Sequence, residues 1–326
     1  MPMKNPLVQN VFLFFISLLV AFSIFLGVDL ALGRYHRVFS DLDFIQVDSS
    51  FGWNTKPNVS ILNRPGGSIH TNSKGFRSDE IDPKKPQILI LGDSVAWGYN
   101  VADHETAAFL LQNKFPNAQI QNMAVPGYGL DQTYLRFKSQ ISSFSKIQAV
   151  VLILSNNDIE DIKRNVQYGL NKPFLLREGE DLKLERDKIE QNLINYFLAR
   201  SFFCGIISRK NRLHSRFYKL FGEKMNSEKE SKIISGLLLE KIKILAQEKK
   251  ADLLIVLSPS VTNSFVKSDS YRWFETYLSS HHFNFISQHA ALKATGLAFD
   301  SFYLDYSHYS VSGNRLLAEE IGKHLT

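Results

Sequence analysis

The stretch ILILGDSVAWGYN, residues 88–100, sets an aliphatic run directly against Gly92, Asp93 and Ser94. A short continuous apolar run closed by glycine reads as a strand buried on both faces, the kind found in parallel sheets. The glycine, acid and hydroxyl that follow are open to two readings. One is an ordinary strand-end turn. The other is a nucleophilic serine presented at the edge of a sheet. A serine hydroxyl attacks only when a base takes its proton, so the second reading needs partners elsewhere in the chain.

Working outward from this stretch, strands and helices alternate. QILILG (87–92), AQIQNMAV (118–125), AVVLILS (149–155) and ADLLIVLS (251–258) read as strands. DHETAAFLLQNKF (103–115), DQTYLRFKSQISSF (131–144), residues 224–250 and the closing SVSGNRLLAEEIGKHL carry helical spacing. Strand–helix alternation predicts a mainly parallel sheet covered on both faces, and right-handed crossovers restrict it to a doubly wound α/β layer sandwich. Residues 165–223 interrupt the rhythm. NKPFLLREGEDLKLERD reads as a hairpin or lid edge, and the segment as a whole as a cap over the site. ARSFFCGIISRKNRLHSRFYKLFGEK mixes aromatics with Arg200, Arg209, Lys210, Arg212, Arg216 and Lys219. That pattern fits either a basic surface on a membrane or a helix with one buried face.

The amino terminus differs from the rest. VFLFFISLLVAFSIFLGV, residues 11–28, is free of charge and spans about 27 Å as a helix. It is longer than the apolar core of a cleavable signal and lacks a convincing small-residue cleavage site, so an uncleaved anchor is expected. Lys4 lies on one side, Arg34 and Arg37 on the other, and the body is expected outside the cytoplasm. Residues 34–86, rich in glycine, proline and asparagine, read as turns and short extended pieces, loops rather than long helices. The expected division is an anchor over 1–33, a loop-rich lead-in over 34–86, and an α/β domain over 87–326 with an insertion at about 165–223. The net charge of +6 on 326 residues suits an anionic surface, whereas a nucleic-acid binder would be more basic and patchier, so nucleic acid is not an expected partner. The single cysteine, Cys204, permits no internal disulfide and reads as a small buried hydrophobe. No metal-ligand spacing is visible, and His281, His282 and His289 read as surface residues.

A G-x-S-x-G elbow is excluded, because Ala96 stands where its second glycine would be, and no Gly-Lys-Ser/Thr completes a P-loop. A base is offered by His308 in LDYSHYSVSGN, with Asp305 three residues earlier. The pair is either a solvated loop pair or an imidazole held by a carboxylate on one nitrogen and facing a hydroxyl with the other. Gly127 in NMAVPGYG and Asn157 in SNNDIED each follow a strand. Either is an ordinary turn residue taken singly, and either can donate to an oxyanion. Trp97, Tyr99 and Tyr128 flank these positions as a sugar platform or as packing.

Taken together, Gly92-Asp93-Ser94, Asn122 through Gly127, Asn157-Asp158 and Asp305-x-x-His308 resemble, in order and spacing, the four blocks of the SGNH or GDSL-type hydrolases over about residues 87–326. TNSKGFRSDE (71–80) is similar to the lead-in of membrane-associated bacterial members. The resemblance implies a three-layer α/β/α, flavodoxin-like fold with neither metal nor organic cofactor. It makes Ser94 the nucleophile, His308 the base and Asp305 its orienting acid. The oxyanion hole would be the Ser94 and Gly127 N–H groups and the Asn157 side chain, with Asp93 and Asp158 as structural hydrogen-bonding groups. The implied reaction is cleavage of an ester in an acylated sugar, a lipid or a small ester through an acyl-serine. Transfer of the acyl group to a cell-surface glycan, and an inactive glycan-binding protein of the same fold, are the alternatives. The third block departs from the family's G-x-N-D, since Ser155 takes the glycine position. A left-handed backbone there would be strained by serine. Val95 replaces the leucine that usually ends the first block.

Overall fold

The computed structural model describes residues 6–35, 43–62, 67–168, 170–185, 189–190, 224–259 and 267–325. Cys204 and the basic stretch from Arg200 to Lys219 lie outside them, as does most of the expected cap.

Five aliphatic runs form the central sheet: β1 (Gln87–Leu91), β2 (Gln119–Asn122), β3 (Ile147–Leu154), β4 (Asp252–Leu257) and β5 (Phe285–Ser287). All pairings are parallel, and the spatial order is β5-β4-β3-β1-β2. Every residue of β1 is buried, which is why the run is continuously apolar rather than alternating. Leu89, Leu91, Val150, Leu152, Ile255 and Leu257 join one core cluster with α4 (Leu130–Gln140), α6 (Glu228–Glu248) and α7 (Asp269–Ser280). The alternate residues Ile88, Ile90, Val151, Ile153, Leu254 and Val256 are equally buried and serve the opposite face. There α3 (Ala107–Gln112), α8 (Gln288–Ala294) and α9 (Val311–Leu325) pack on one another and on the sheet. The fold is therefore a doubly wound α/β/α sandwich.

The chain runs from β1 outward to β2, then crosses to β3 on the other side of β1. The crevice at such a reversal, beyond the carboxyl ends of the strands, is where doubly wound sheets bind ligands. β1 ends there in Gly92, at φ +144°, where a Cβ would lie 2.7 Å from Ile153 O and 2.8 Å from Ala96 Cβ. Only glycine fits that approach.

Residues 44–86 fold into the same compact unit as the sheet (Phe44–Gln167, Lys172–Glu190 and Lys224–Thr326). Buried Arg77 holds them to the turn that follows Ser94. Its guanidinium donates to Asp103 at 2.8 Å and to the carbonyls of Gly98, Val101, Trp97 and Ser68 at 2.7, 2.9, 3.2 and 3.2 Å. Gln132 on α4 donates to Phe51 O at 2.7 Å, and Arg136 to Thr55 Oγ1 at 3.2 Å. The predicted hairpin is present as antiparallel strands Leu175–Glu178 and Asp181–Leu184.

The second unit contains α1 (Pro6–Tyr35), 30 residues long, in which Gln9–Asp29 has a mean hydropathy of 2.8. Residues 11–28 are all exposed. Its serine hydroxyls are satisfied within the helix, Ser17 donating to Leu13 O and Ser23 to Leu19 O, each at 2.8 Å. It is a helix long and apolar enough to cross a membrane.

Candidate active site

Ser94 opens a short helix, α2 (Ser94–Trp97), directly after Gly92. Asp93 caps it, its carboxylate accepting from Val95 N–H at 2.8 Å. Gly98 ends it in the left-handed conformation at φ +79°. As the first helical residue, Ser94 has no intrahelical acceptor for its own N–H, and among the described residues that N–H meets none elsewhere.

The loop carrying His308 is tied at its neck. Tyr303 and Tyr309 form an antiparallel bridge, Leu304 N–H donates to His308 O at 2.8 Å, and Ser310 N–H to Phe302 O at 2.8 Å. The Tyr303 hydroxyl reaches Pro259 O at 2.6 Å, and Tyr309 shares a 2.8 Å hydrogen bond with Ser258. The neck is thus fastened to the end of β4. Gly313 is required where α9 passes behind it, since a Cβ there would lie 2.3 Å from Phe302 O.

This places His308 Nε2 2.9 Å from Ser94 Oγ, across 214 residues of sequence, with His308 Nδ1 2.7 Å from Asp305 Oδ2. With Nδ1–H donating to the carboxylate, Nε2 is the acceptor for the serine hydroxyl. The Asp305 side chain is 41% exposed and that of His308 18%. Burial works to raise the Asp305 pKa. Hydrogen bonds from His308 Nδ1–H and from the Ser307 and His308 N–H groups outweigh it and hold the carboxyl below its usual value. Tyr99, half-buried, lies over the imidazole with ring centres 4.7 Å apart. Trp97 and Tyr128 prove to be packing. Trp97 is fully buried and stacked on Phe44, and Tyr128 is buried with its hydroxyl on Trp53 O at 2.7 Å.

The remaining candidates lie on the same sheet edge. Val125 N–H donates to Gly92 O at 3.1 Å, which runs the loop after β2 alongside the serine turn. Two residues on, Gly127 sits at φ +79°, its N–H without an acceptor among the described residues. Asn157 precedes α5 (Asp158–Ile162) and is exposed, and its Nδ2 donates to Asp161 Oδ2 at 2.5 Å. Ser155 does not adopt a left-handed backbone, so the strain anticipated at that position is absent. Its N–H donates to Asp158 Oδ2 at 2.6 Å and its hydroxyl to Asp93 Oδ1 at 3.2 Å. Burial drives the pKa values of both Asp93 and Asp158 upward, and the Asp93 charge adds to the rise at Asp158.

Three features were not read from the sequence. Asp161 stands four residues beyond Asn157, a spacing that alone puts two side chains on one helical face. Buried Lys172 pairs with Asp131 at 2.9 Å and donates to Asp161 O at 2.7 Å; nothing local marks it. His289, expected at the surface, is buried beside Tyr271 and Phe299, because α8 turns it inward. Among the described residues no group of His, Cys, Asp or Glu side chains is arranged to hold a metal ion.

No known family model and no curated relative matches the sequence. Solved structures do show likeness in fold. A member of the lipolytic protein G-D-S-L family from Veillonella parvula is 13% identical with a TM-score of 0.42, covering 73% of this chain and 96% of its own. A lipase/acylhydrolase from Enterococcus faecalis is 13% identical with a TM-score of 0.41, covering 74% and 95%. The acetylxylan esterase Axe2 from Geobacillus stearothermophilus is 14% identical with a TM-score of 0.39, covering 74% and 94%.

Proposed function

We propose that this chain is a serine esterase of the SGNH (GDSL) type, cleaving an ester of an acylated sugar, a lipid or a small alcohol through an acyl-Ser94 intermediate. One observation carries the reading: the continuous hydrogen-bonded chain Ser94–His308–Asp305, with bonds of 2.9 and 2.7 Å. His308 Nε2 takes the Ser94 proton as Oγ attacks the ester carbonyl. Asp305 keeps the other nitrogen protonated and steadies the imidazolium that results. The oxyanion accepts from the Ser94 and Gly127 N–H groups and from the Asn157 amide, donors worth about 10²–10³ each in rate. His308 then protonates the departing alcohol, leaving acyl-Ser94. Water attacks next, again giving its proton to His308, and the acid leaves as Ser94 is restored. A sugar hydroxyl in place of that water would make the same site an O-acyltransferase.

The 1–33 segment, through helix α1, serves as a membrane anchor, with the sheet-bearing unit on the outer face of the cytoplasmic membrane. Its exposed apolar surface and self-satisfied hydroxyls support this reading.

The test is labelling of the full chain in detergent with a fluorophosphonate, read by intact mass. A single adduct, absent from Ser94→Ala and much reduced in His308→Ala, is expected. A folded wild-type protein that takes no adduct would refute the esterase reading and favour a binding protein of the same fold.

A further inference from the structure

The Asn157 amide can serve the oxyanion only if its NH₂ end faces the site. A carboxamide is nearly symmetric in shape, and a half-turn about its last bond would present the carbonyl, which repels an oxyanion. Asn157 is exposed, so burial does not set that choice. A hydrogen-bond partner must set it.

Asp161 is placed to do so. Above about pH 7, where Asp161 is ionised, its carboxylate only accepts. Its Oδ2 takes one Asn157 Nδ2–H at 2.5 Å, while its Oδ1 takes Gln167 Nε2–H at 3.0 Å. With both oxygens engaged, the carboxylate is fixed in plane. The planar NH₂ group then has its second hydrogen directed about 120° away from the first. The backbone beneath is fixed as well. Asp161 N–H donates to Asn157 O at 2.8 Å, and Lys172 Nζ holds Asp161 O at 2.7 Å while paired with buried Asp131.

We propose that Asp161 is a positioning residue for the oxyanion hole, selecting the amide orientation of Asn157 and aiming its free N–H, with Gln167 and the Lys172–Asp131 pair as its supports. The proposal rests on the esterase reading, in which Asn157 touches the oxyanion and Asp161 acts only through it.

A residue that acts only through Asn157 has no effect once Asn157 is gone. The measurement is therefore a double-mutant cycle on the second-order rate of fluorophosphonate labelling of the full chain at about pH 8, where Asp161 is ionised. Asn157→Ala is expected to slow labelling about 100-fold and Asp161→Ala about tenfold. The double variant should be no slower than Asn157→Ala alone. Asp161→Asn, which keeps an acceptor oxygen within reach, should recover most of the rate. Asp161→Leu, similarly branched and without an acceptor, replaces alanine in the cycle if Asp161→Ala does not fold. Wild-type labelling that the Asp161 substitutions leave unchanged, or losses that multiply in the double variant, would overturn the proposal while leaving the esterase reading intact. Absence of Ser94 labelling in the wild type would overturn both.

Discussion

The two sides of the site use the same residue type in opposite ways. On the base side, Asp305 is 41% exposed, and its hydrogen bonds hold it ionised. On the proposed oxyanion side, near Gly127 and Asn157, Asp93, Asp131 and Asp158 are buried, with pKa values driven up by desolvation. In the proposed mechanism the first arrangement keeps a charge available to an imidazole that becomes positive during reaction. The second spends carboxyl groups on geometry: Asp93 caps α2, Asp158 holds Ser155 N–H, and Asp131 anchors Lys172. Solvent access, not residue type, separates the electrostatic role from the architectural one.

The largest effect expected from this contrast is on activity. His308→Ala should lower kcat/KM on the order of a millionfold, with Asp305→Asn about a hundredfold less damaging. Water can reach Asp305, so solvent takes over part of its work. Hydrolysis of a p-nitrophenyl ester by the full chain in detergent checks the ranking. Equal losses at the two positions would mean that the exposed carboxylate matters as much as a buried one.

On the oxyanion side the cost should appear as stability. The side chains of Lys172 and Asp131 are 0% and 1% exposed, and removing one partner leaves a buried carboxyl alone. Lys172→Met should destabilise the fold by about 3–5 kcal/mol near pH 8, measured by chemical denaturation. Lys323→Met, which breaks an exposed pair on α9, should leave stability unchanged. Because Asp131 already has a raised pKa, protonation relieves the stranded charge, and the Lys172→Met deficit should shrink on acidification.

The pH dependence of the wild type has a defined sign. Burial, partly offset by Lys172 and by the Asn157 hydrogen bond, pushes Asp161 up to about 7 from 3.8. Between those values the native state holds a proton that the unfolded chain has released. Stability therefore falls as pH rises through this window. Asp93, Asp131 and Asp158 act in the same direction, whereas the contribution of Asp305 is lost only as pH falls below 3.8 through its lowered native value. Melting curves of wild type and Asp161→Asn from pH 5 to 8 should diverge in slope, with a difference on the order of 2–4 kcal/mol across the window. Parallel slopes would mean that Asp161 titrates as an ordinary surface carboxylate.

Legibility in the sequence follows the same divide. Strands buried on both faces must be continuously aliphatic, so β1, β3 and β4 could be read directly. The short edge strand β5 and its neighbours α7 and α8 carry no comparable run, so the sequence alone does not mark them. Ser94, Asp305 and His308 stood out because each belongs to a compact local motif, and the structure brings all three together. The oxyanion side was harder to read. Lys172 sits in NKPFLL, a stretch that reads as loop, and only the meeting of α4 and α5 around it makes it a buried cation. Asp161 was within reach by its spacing from Asn157, but an acid on a short helix has no local mark that separates support from solvation.

The smallest expected effect bears on the position where the sequence departs from the SGNH pattern. If Ser155 were a strained substitute for glycine, restoring glycine would stabilise the protein. The structure gives the opposite sign. The backbone is not left-handed there, so glycine relieves nothing and adds freedom to the unfolded chain. The serine hydroxyl also donates to Asp93 Oδ1 at 3.2 Å, and its loss removes one partner of a buried acid. Ser155→Gly should therefore lower stability by about 1–2 kcal/mol. Asp93 still accepts from Val95 N–H in that variant, so α2 stays capped and the labelling rate of Ser94 should remain within about threefold of wild type. A rise in melting temperature would show that the hydroxyl is tolerated rather than used. A fall with labelling retained would place Ser155 with Asp93 and Asp158, among the groups that hold the nucleophile's turn without entering the chemistry.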